Sequence, residues 1–481
     1  MRLTELSPGA AADPEIAGIT ADSRQVLPGF LFAALPGAAH DGRYFIVDAI
    51  AKGAAAILAP TGTRIPDARV VLVADDDPRH ALAVMAARFY GRQPRTICAV
   101  TGTNGKTSVA DFTRQIWTAL GHRAASLGTL GIRAPGFAVK GALTTPDPVA
   151  LHASLARLTE EGVERLAIEA SSHGLDQSRL DGLMLTAAAF TNLTRDHLDY
   201  HADMDAYRAA KLRLFGALLP RGATAVLNAD SPEFDAFAAI CRKRGQKVVS
   251  YGAKGEGLRL DAVAPHAHGQ QMRFSAGGRR FESELALVGA FQAHNALAAL
   301  GLVTASGDAL DDAADALARI VGAPGRLQLV ATHKSGAPIY VDYAHTPDAL
   351  ETVLRALRPH TEKRLVVVFG CGGDRDRGKR PQMGRIACEL ADKVFVTDDN
   401  PRSEDPSAIR ATIMGACRGA TEIGDRAEAI YAAASELQSG DVLAICGKGH
   451  ETGQIVGTEV HPFDDAEVAR AVIAALGGKA A

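Results

Sequence analysis

The stretch Thr101-Gly102-Thr103-Asn104-Gly105-Lys106-Thr107 constrains this chain more than any other. Arg95 to Val100, just before it, is a short apolar and β-branched run that predicts a buried strand. After it, Val109, Phe112, Ile116 and Leu120 recur at the spacing of one helix face. A strand, a glycine turn and a helix opening at Lys-Thr together predict an anion cradle. Gly102, Thr103, Asn104 and Gly105 bring backbone close to a phosphate, and the helix N-terminus offers unpaired N–H groups. Lys106 meets the phosphate charge, and the Thr107 hydroxyl suits Mg²⁺. The standard phosphate loop has a glycine five residues before Gly105, where this chain has Val100, so the loop here is the shorter Gly102-x-x-Gly105-Lys106-Thr107. A plain strand-to-helix turn could hold the same residues. Few such turns sit correctly between strand and helix, and phosphate binding is the preferred reading.

At 481 residues the chain exceeds one hydrophobic core, and two or three domains are expected. It is 47% hydrophobic and 22% charged, the balance of a globular protein. A formal charge of -3 gives no electrostatic reason to expect a nucleic-acid partner. Met1 to Ala12 lacks a basic start followed by an apolar core, and no apolar run reaches membrane-spanning length. Cys98, Cys241, Cys371, Cys388, Cys417 and Cys446 are scattered without the paired spacing of a zinc site. A cytoplasmic, reducing setting and a monomer are expected.

Read in order, the fold class is α/β in three domains. Residues 1–92 predict a small α/β domain, with strands at 30–32, 54–58 and 70–73 and helices at 44–52 and 78–89. Thr20 to Arg24 and Gly37 to Arg43 read as ordinary turns rich in Gly and Asp. Residues 93–324 predict a central domain with a mostly parallel sheet covered on both faces, its strands at 96–101, 165–170, 186–192 and 223–228. An antiparallel addition is expected at 258–288, followed by helices at 291–302 and 310–320. Residues 325–481 predict a Rossmann-like sheet with strands at 337–343, 364–369, 393–397 and 442–446, but no dinucleotide glycine fingerprint follows its first strand.

In such sheets ligands collect at the carboxyl ends of the strands. Glu169 ends one apolar strand and is placed to ligate a metal on the ATP phosphates. His197, in the polar segment after another strand, could meet a second metal. A strand-terminal Glu is often only solvated, and Arg195-Asp196-His197 could be a simple loop. Their occurrence at successive strand ends favours function. Lys211, on a helix soon afterwards, reads by composition as an exposed charge.

Seven motifs then occur in a fixed order: Thr101 to Thr107, Glu169 to Leu175, Thr191 to His201, Asp342 to Asp348, Gly370 to Asp376, Asp399 to Arg402 and Gly447 to Glu451. Over essentially the full length the chain resembles the Mur ligases, on the side that extends a UDP-linked muramoyl dipeptide in peptidoglycan synthesis. The resemblance implies an N-terminal UDP-binding domain, a central P-loop ATPase domain and a C-terminal domain for the incoming amino acid. It implies that Ser23 and the 38–40 turn contact UDP, the latter through backbone because Ala38, Ala39 and His40 match the family least well. Thr144, Thr145, Ser171, Gln177 and Arg179 would hold the muramoyl dipeptide. Asn295, Arg326 and Asp342 would join the phosphate loop in holding ATP. Lys211 becomes a carbamylated lysine that, with Thr107, Glu169 and His197, serves Mg²⁺. Lys106, Lys211 and His197 form the implied catalytic set. The implied substrates are ATP, UDP-N-acetylmuramoyl-L-alanyl-D-glutamate and meso-diaminopimelate. Diaminopimelate follows from Asp399-Asn400-Pro401-Arg402 with Arg375, Gly447 and Glu451, since an arginine fork suits its distal carboxylate. The alternatives are a lysine-adding member and a ligase of the folylpolyglutamate type.

Overall fold

Runs of apolar and β-branched residues, alternating with amphipathic stretches, fold into parallel sheets because each crossover needs a helix. The computed structural model describes residues 1–481 except Ala38, Ala39, Lys140, Ala142, Asp199, Ala267 and His268. The chain forms two compact units, Met1–Gly257 with Ala298–Ala313, and Leu258–Leu297 with Ala314–Ala481.

In the first unit, Gly18–Thr20, Phe30–Ala33, Ala56–Pro60 and Val71–Asp75 pair in that order as a parallel sheet. Leu31, Leu58 and Val73 share one buried cluster with Leu82 and Met85 of helix Pro78–Tyr90. Asp77 caps that helix by accepting from His80 N, with Pro78 in its first turn. A second sheet runs in the order Lys247–Gly252, Thr224–Asn228, Leu185–Phe190, Thr96–Thr101, Arg165–Glu169, Ala124–Gly128. All six strands are parallel. The antiparallel strands Gly131–Ala134 and Phe137–Val139 extend it. Helix Lys106–Ala119 begins at the end of Thr96–Thr101 and buries Val109, Phe112 and Ile116.

The second unit opens on the antiparallel strands Leu258–His266, Gly269–Ala276 and Arg279–Leu285, as the alternating sequence around Gly277-Gly278 predicts. Its larger sheet runs Thr421–Glu422, Lys393–Val396, Leu365–Phe369, Val442–Cys446, Pro338–Asp342, Gln328–Thr332, Lys479–Ala480. The first five strands are parallel. The last two are antiparallel additions at one edge.

Several expected elements shift. The 44–52 helix is a 3₁₀ turn over Gly42–Phe45 followed by helix Ile46–Ala51. The 310–320 helix is α only over Leu310–Ala316 and tightens to 3₁₀ over Leu317–Arg319. Strand Ala124–Gly128 and helix Pro148–Glu160 were not anticipated. The strand is Ala-Ala-Ser-Leu-Gly, with no β-branched residue, and burial on both faces rather than propensity makes it a strand. Among the described residues no helix is long and apolar enough to cross a membrane.

Candidate active site

The central sheet brings three strand ends together. Phe190 pairs with Thr101, and Val100 with Glu169, so the phosphate loop lies between the segments that follow Phe190 and Glu169. Gly102 is held at φ +151°, and a Cβ there would stand 1.9 Å from Thr191 Oγ1, so only glycine fits this approach. The loop is tied to Thr191-Asn192 by Thr103 N donating to Asn192 O at 2.8 Å and Asn104 N donating to Asn192 Oδ1 at 3.0 Å. Gly105 is the N-cap of the helix that begins at Lys106.

Thr107 Oγ1 donates to Glu169 Oε2 at 3.0 Å. Glu169 is 2% exposed and also accepts from Thr129 N at 2.8 Å and Thr129 Oγ1 at 3.2 Å. Thr129, missed in the sequence, links onward to Thr144 through a 3.0 Å hydroxyl pair. Its only signal is its place in Gly128-Thr129-Leu130-Gly131.

Lys106 Nζ donates to Gly102 O at 2.9 Å and Thr103 O at 2.8 Å. Lys211 Nζ donates to the same Gly102 O at 2.7 Å. Lys211 is therefore not the exposed helical charge its composition suggests: it is 1% exposed. Burial, and then the charge of Lys106, pull its pKa well below that of an ordinary lysine. Lys211 Nζ also lies 4.3 Å from the ring centre of Tyr207. His197 packs at 6.1 Å from that ring and 4.9 Å from His173, with φ +54°. Tyr207 thus neighbours both His197 and Lys211, and its hydroxyl lies 3.1 Å from Thr103 Oγ1. Burial raises that phenol to about 12.

The residues assigned to the muramoyl dipeptide assemble beside Glu169. Thr145 Oγ1 donates to Glu169 O at 2.9 Å, and Thr145 and Ser171 share a 3.0 Å hydroxyl contact. Arg179 Nη1 donates to Thr145 O at 2.8 Å, and Arg179 Nη2 donates to Gln177 Oε1 at 2.7 Å. Gln177 and Arg179 line a cavity of about 190 Å³ with Arg79, Ala21 and Leu35 of the N-terminal sheet domain. Ser23 is not among its walls; it sits in a 3₁₀ turn, where its carbonyl accepts from Lys52 Nζ at 2.8 Å. Of the 38–40 turn, Ala38 and Ala39 lie outside the described residues, and His40 is exposed.

The remaining residues that the resemblance assigns to ATP belong to the second unit. Asn295 Nδ2 donates to Gln292 Oε1 at 3.0 Å. Arg326 stacks 5.0 Å from the Tyr343 ring, and its buried Nε has no hydrogen-bond partner among the described residues. The Asp342 carboxylate accepts from Leu327 N at 2.7 Å and Ala344 N at 2.8 Å, so both oxygens serve the backbone. Burial nevertheless raises its pKa to about 6.

The residues that the resemblance assigns to the amino acid follow adjacent parallel strands of the same unit. Arg402 has φ +52°, and its Nη1 donates to Gly373 O at 2.8 Å. Asn400 is 4% exposed, with Oδ1 accepting from Lys448 Nζ and Ile455 N, both at 3.0 Å. Its Nδ2 donates to Glu451 Oε2 at 3.0 Å. Only one amide hydrogen of Asn400 is left for a ligand, and that position can meet only an acceptor. Lys448, fully buried, was missed because a lysine between two glycines reads as a turn charge. Asp399 accepts from Asn400 N at 2.7 Å, and Pro401 O packs so close to Gly373 that a Cβ there would meet it at 1.9 Å. Gly447 N donates to Asp342 O at 3.1 Å, and Arg375 is exposed.

Three family models match the chain in sequence: the Mur ligase family catalytic domain over residues 15–90, the Mur ligase middle domain over 100–303, and the Mur ligase glutamate ligase domain over 325–449. A UDP-N-acetylmuramoyl-L-alanyl-D-glutamate–2,6-diaminopimelate ligase of Brucella melitensis biotype 1 is 56% identical over 98% of this chain and 97% of its own. One of the same name from Caulobacter vibrioides is 57% identical over 95% of each chain. A solved structure of a ligase of that name is 34% identical over 99% of both chains, with a TM-score of 0.75. The chain belongs to the Mur ligase family, on the branch whose members carry that diaminopimelate ligase name.

Proposed function

We propose that this chain joins meso-2,6-diaminopimelate to UDP-N-acetylmuramoyl-L-alanyl-D-glutamate at the expense of ATP, a step of peptidoglycan synthesis. The observation that carries this reading is full-length identity above half to ligases of that name. We divide the chain at residues 1–92 for UDP, 93–324 for ATP and 325–481 for the amino acid.

A carboxylate does not acylate an amine unaided. The D-glutamate γ-carboxylate attacks the γ-phosphorus of ATP, forming an acyl phosphate and releasing ADP. The amine of diaminopimelate attacks the acyl carbon, the tetrahedral adduct expels phosphate, and the amine loses a proton. The protein's share is positioning and charge. Lys106, Gly102, Thr103, Asn104, Gly105 and Thr107 receive the phosphates. Asn295, Arg326 and Asp342 complete the ATP set. Thr144, Thr145, Ser171, Gln177 and Arg179 orient the dipeptide, and Ser23 belongs to the UDP end.

Mg²⁺ suits the hard oxygens of Glu169 and Thr107, which lie 3.0 Å apart, because this ion takes one or two protein oxygens and fills the rest with phosphate and water. When bound it neutralises phosphate charge. An amine at Lys211 does not fit a second ion, but a carbamate does. Its depressed pKa supports this: the neutral amine adds CO₂, releasing one proton and leaving an anion beside Lys106. Six unpaired cysteines support a cytoplasmic setting.

Arg402, Asn400 and Glu451 favour diaminopimelate over lysine, because a donor amide and an arginine fork beside an acid match a carboxylate and an amine on one carbon. The test is ADP release with each of the three substrates omitted in turn, and product mass with meso-diaminopimelate against L-lysine. Equal or greater turnover with L-lysine would defeat the acceptor assignment.

A further inference from the structure

Asp181 has no part in the roles given above, yet its side chain is 2% exposed and polar side chains from distant segments converge on it. Arg213 Nη1 and Nη2 donate to its two carboxylate oxygens at 2.6 Å each. His80 Nδ1 lies 2.5 Å from Oδ2. Arg213 Nη2 also donates to Ser178 Oγ at 3.1 Å, and Ser178 has φ +56°. Arg213 closes the helix Met204–Arg213 that carries Lys211, and His80 sits in the first turn of Pro78–Tyr90. Asp181 itself lies two residues beyond Arg179.

Burying a carboxylate is costly, and an apolar pair of similar size is often as stable, so such a pair calls for a use in register. The geometry supplies one. The 190 Å³ cavity has one wall from Ala21, Leu35 and Arg79 and another from Leu143, Gln177 and Arg179. His80 adjoins the first wall and Asp181 the second.

We propose that Asp181 is a positioning residue that sets the register of these two walls, so that one nucleotide-linked donor engages both at once. The inference rests on the donor assigned above, whose UDP end and dipeptide end meet different parts of the chain. For such a ligand the second contact is intramolecular, and its strength depends on how well the first contact places it.

Calorimetric titration of the full-length enzyme with UDP, and separately with the complete donor, tests this. In Asp181→Asn and in His80→Gln the donor Kd should rise about tenfold or more while the UDP Kd stays within about twofold. The donor KM should follow, with the KM for ATP and for the amino acid unchanged. A purely structural residue would lower the active fraction without splitting the two ligands. His80 is 54% exposed, so His80→Gln decides the matter alone if Asp181→Asn does not fold. Equal weakening of UDP and donor, or an unchanged donor Kd, would overturn the proposal. Wild-type enzyme that binds UDP but not the donor would remove the donor assignment instead, and the inference with it.

Discussion

A lysine on a helix is normally a solvated charge, and Lys211 departs from this because Tyr207 and the phosphate loop cover it. Two lysine nitrogens then share one carbonyl oxygen, an arrangement relieved by turning one of them into an anion. Lys211→Ala should lose activity on the order of a hundredfold or more, with partial recovery in formate, and Lys211→Arg should be equally poor. Full turnover by the arginine variant in steady-state assays would reject the carbamate. Arg402 offers a second residue-level test. Arg402→Ala should raise the KM for meso-diaminopimelate by about 2–5 kcal/mol in equivalent binding energy and leave that for ATP alone. Asp342 gives a pH signature. Its carboxyl is raised from 3.8 to about 6, since burial outweighs Arg326 and two N–H donors, so the folded chain holds a proton that the unfolded chain has released. The stability this contributes is present below about pH 4 and lost as pH rises through 6, a change of at most about 3 kcal/mol. Denaturation of wild type and Asp342→Asn across pH 4–7 should show their difference drifting in that direction; a constant difference would refute the raised pKa. Lys106 and Glu169 were legible in the sequence because a strand, a turn and a helix start already say where they point. The burial of Lys211 and Lys448 was not, since it depends on chain far away.

At the scale of elements, strand Ala124–Gly128 is the instructive one. Its last residue faces Glu169 so closely that a Cβ on Gly128 would stand 2.0 Å from Oε1. Gly128→Ala should therefore displace the carboxylate, reducing kcat by about 10²–10³ and raising the Mg²⁺ concentration needed for half-maximal rate. Unchanged Mg²⁺ dependence would show that Glu169 has room to move. This strand escaped prediction because Ala and Gly carry no strand preference, whereas Thr96–Thr101 and Leu365–Phe369 announce themselves by apolar runs. Helix Pro78–Tyr90 was found where capping chemistry marks it, at Asp77 before Pro78, whereas the same signal at Asp147 before Pro148 went unread.

For the whole molecule, two compact units imply unfolding that is not a single step. The second unit contains the ion pair of Arg426 and Asp465, both side chains fully buried. It ties helix Arg426–Ser435 to helix Asp465–Ala475 through two hydrogen bonds of 2.7 Å. Asp465→Asn leaves a buried guanidinium uncompensated, a loss of about 3–5 kcal/mol. Scanning calorimetry should show one transition falling and the other holding, and a uniform shift of a single transition would contradict independent units.

The amino-acid sequence alone determined the α/β class and the phosphate loop, and both are local: periodicity, turn chemistry and a helix start follow from neighbouring residues. Its ordered motifs carried the resemblance that implies an ATP-dependent ligase. The tertiary structure decided which polar residues meet. It brought Thr129 to Glu169, Lys211 to Gly102 O, Lys448 to Asn400 and Arg213 with His80 to Asp181. Each pair is separated by at least 32 residues and is made by strand order or domain packing, which no local pattern encodes.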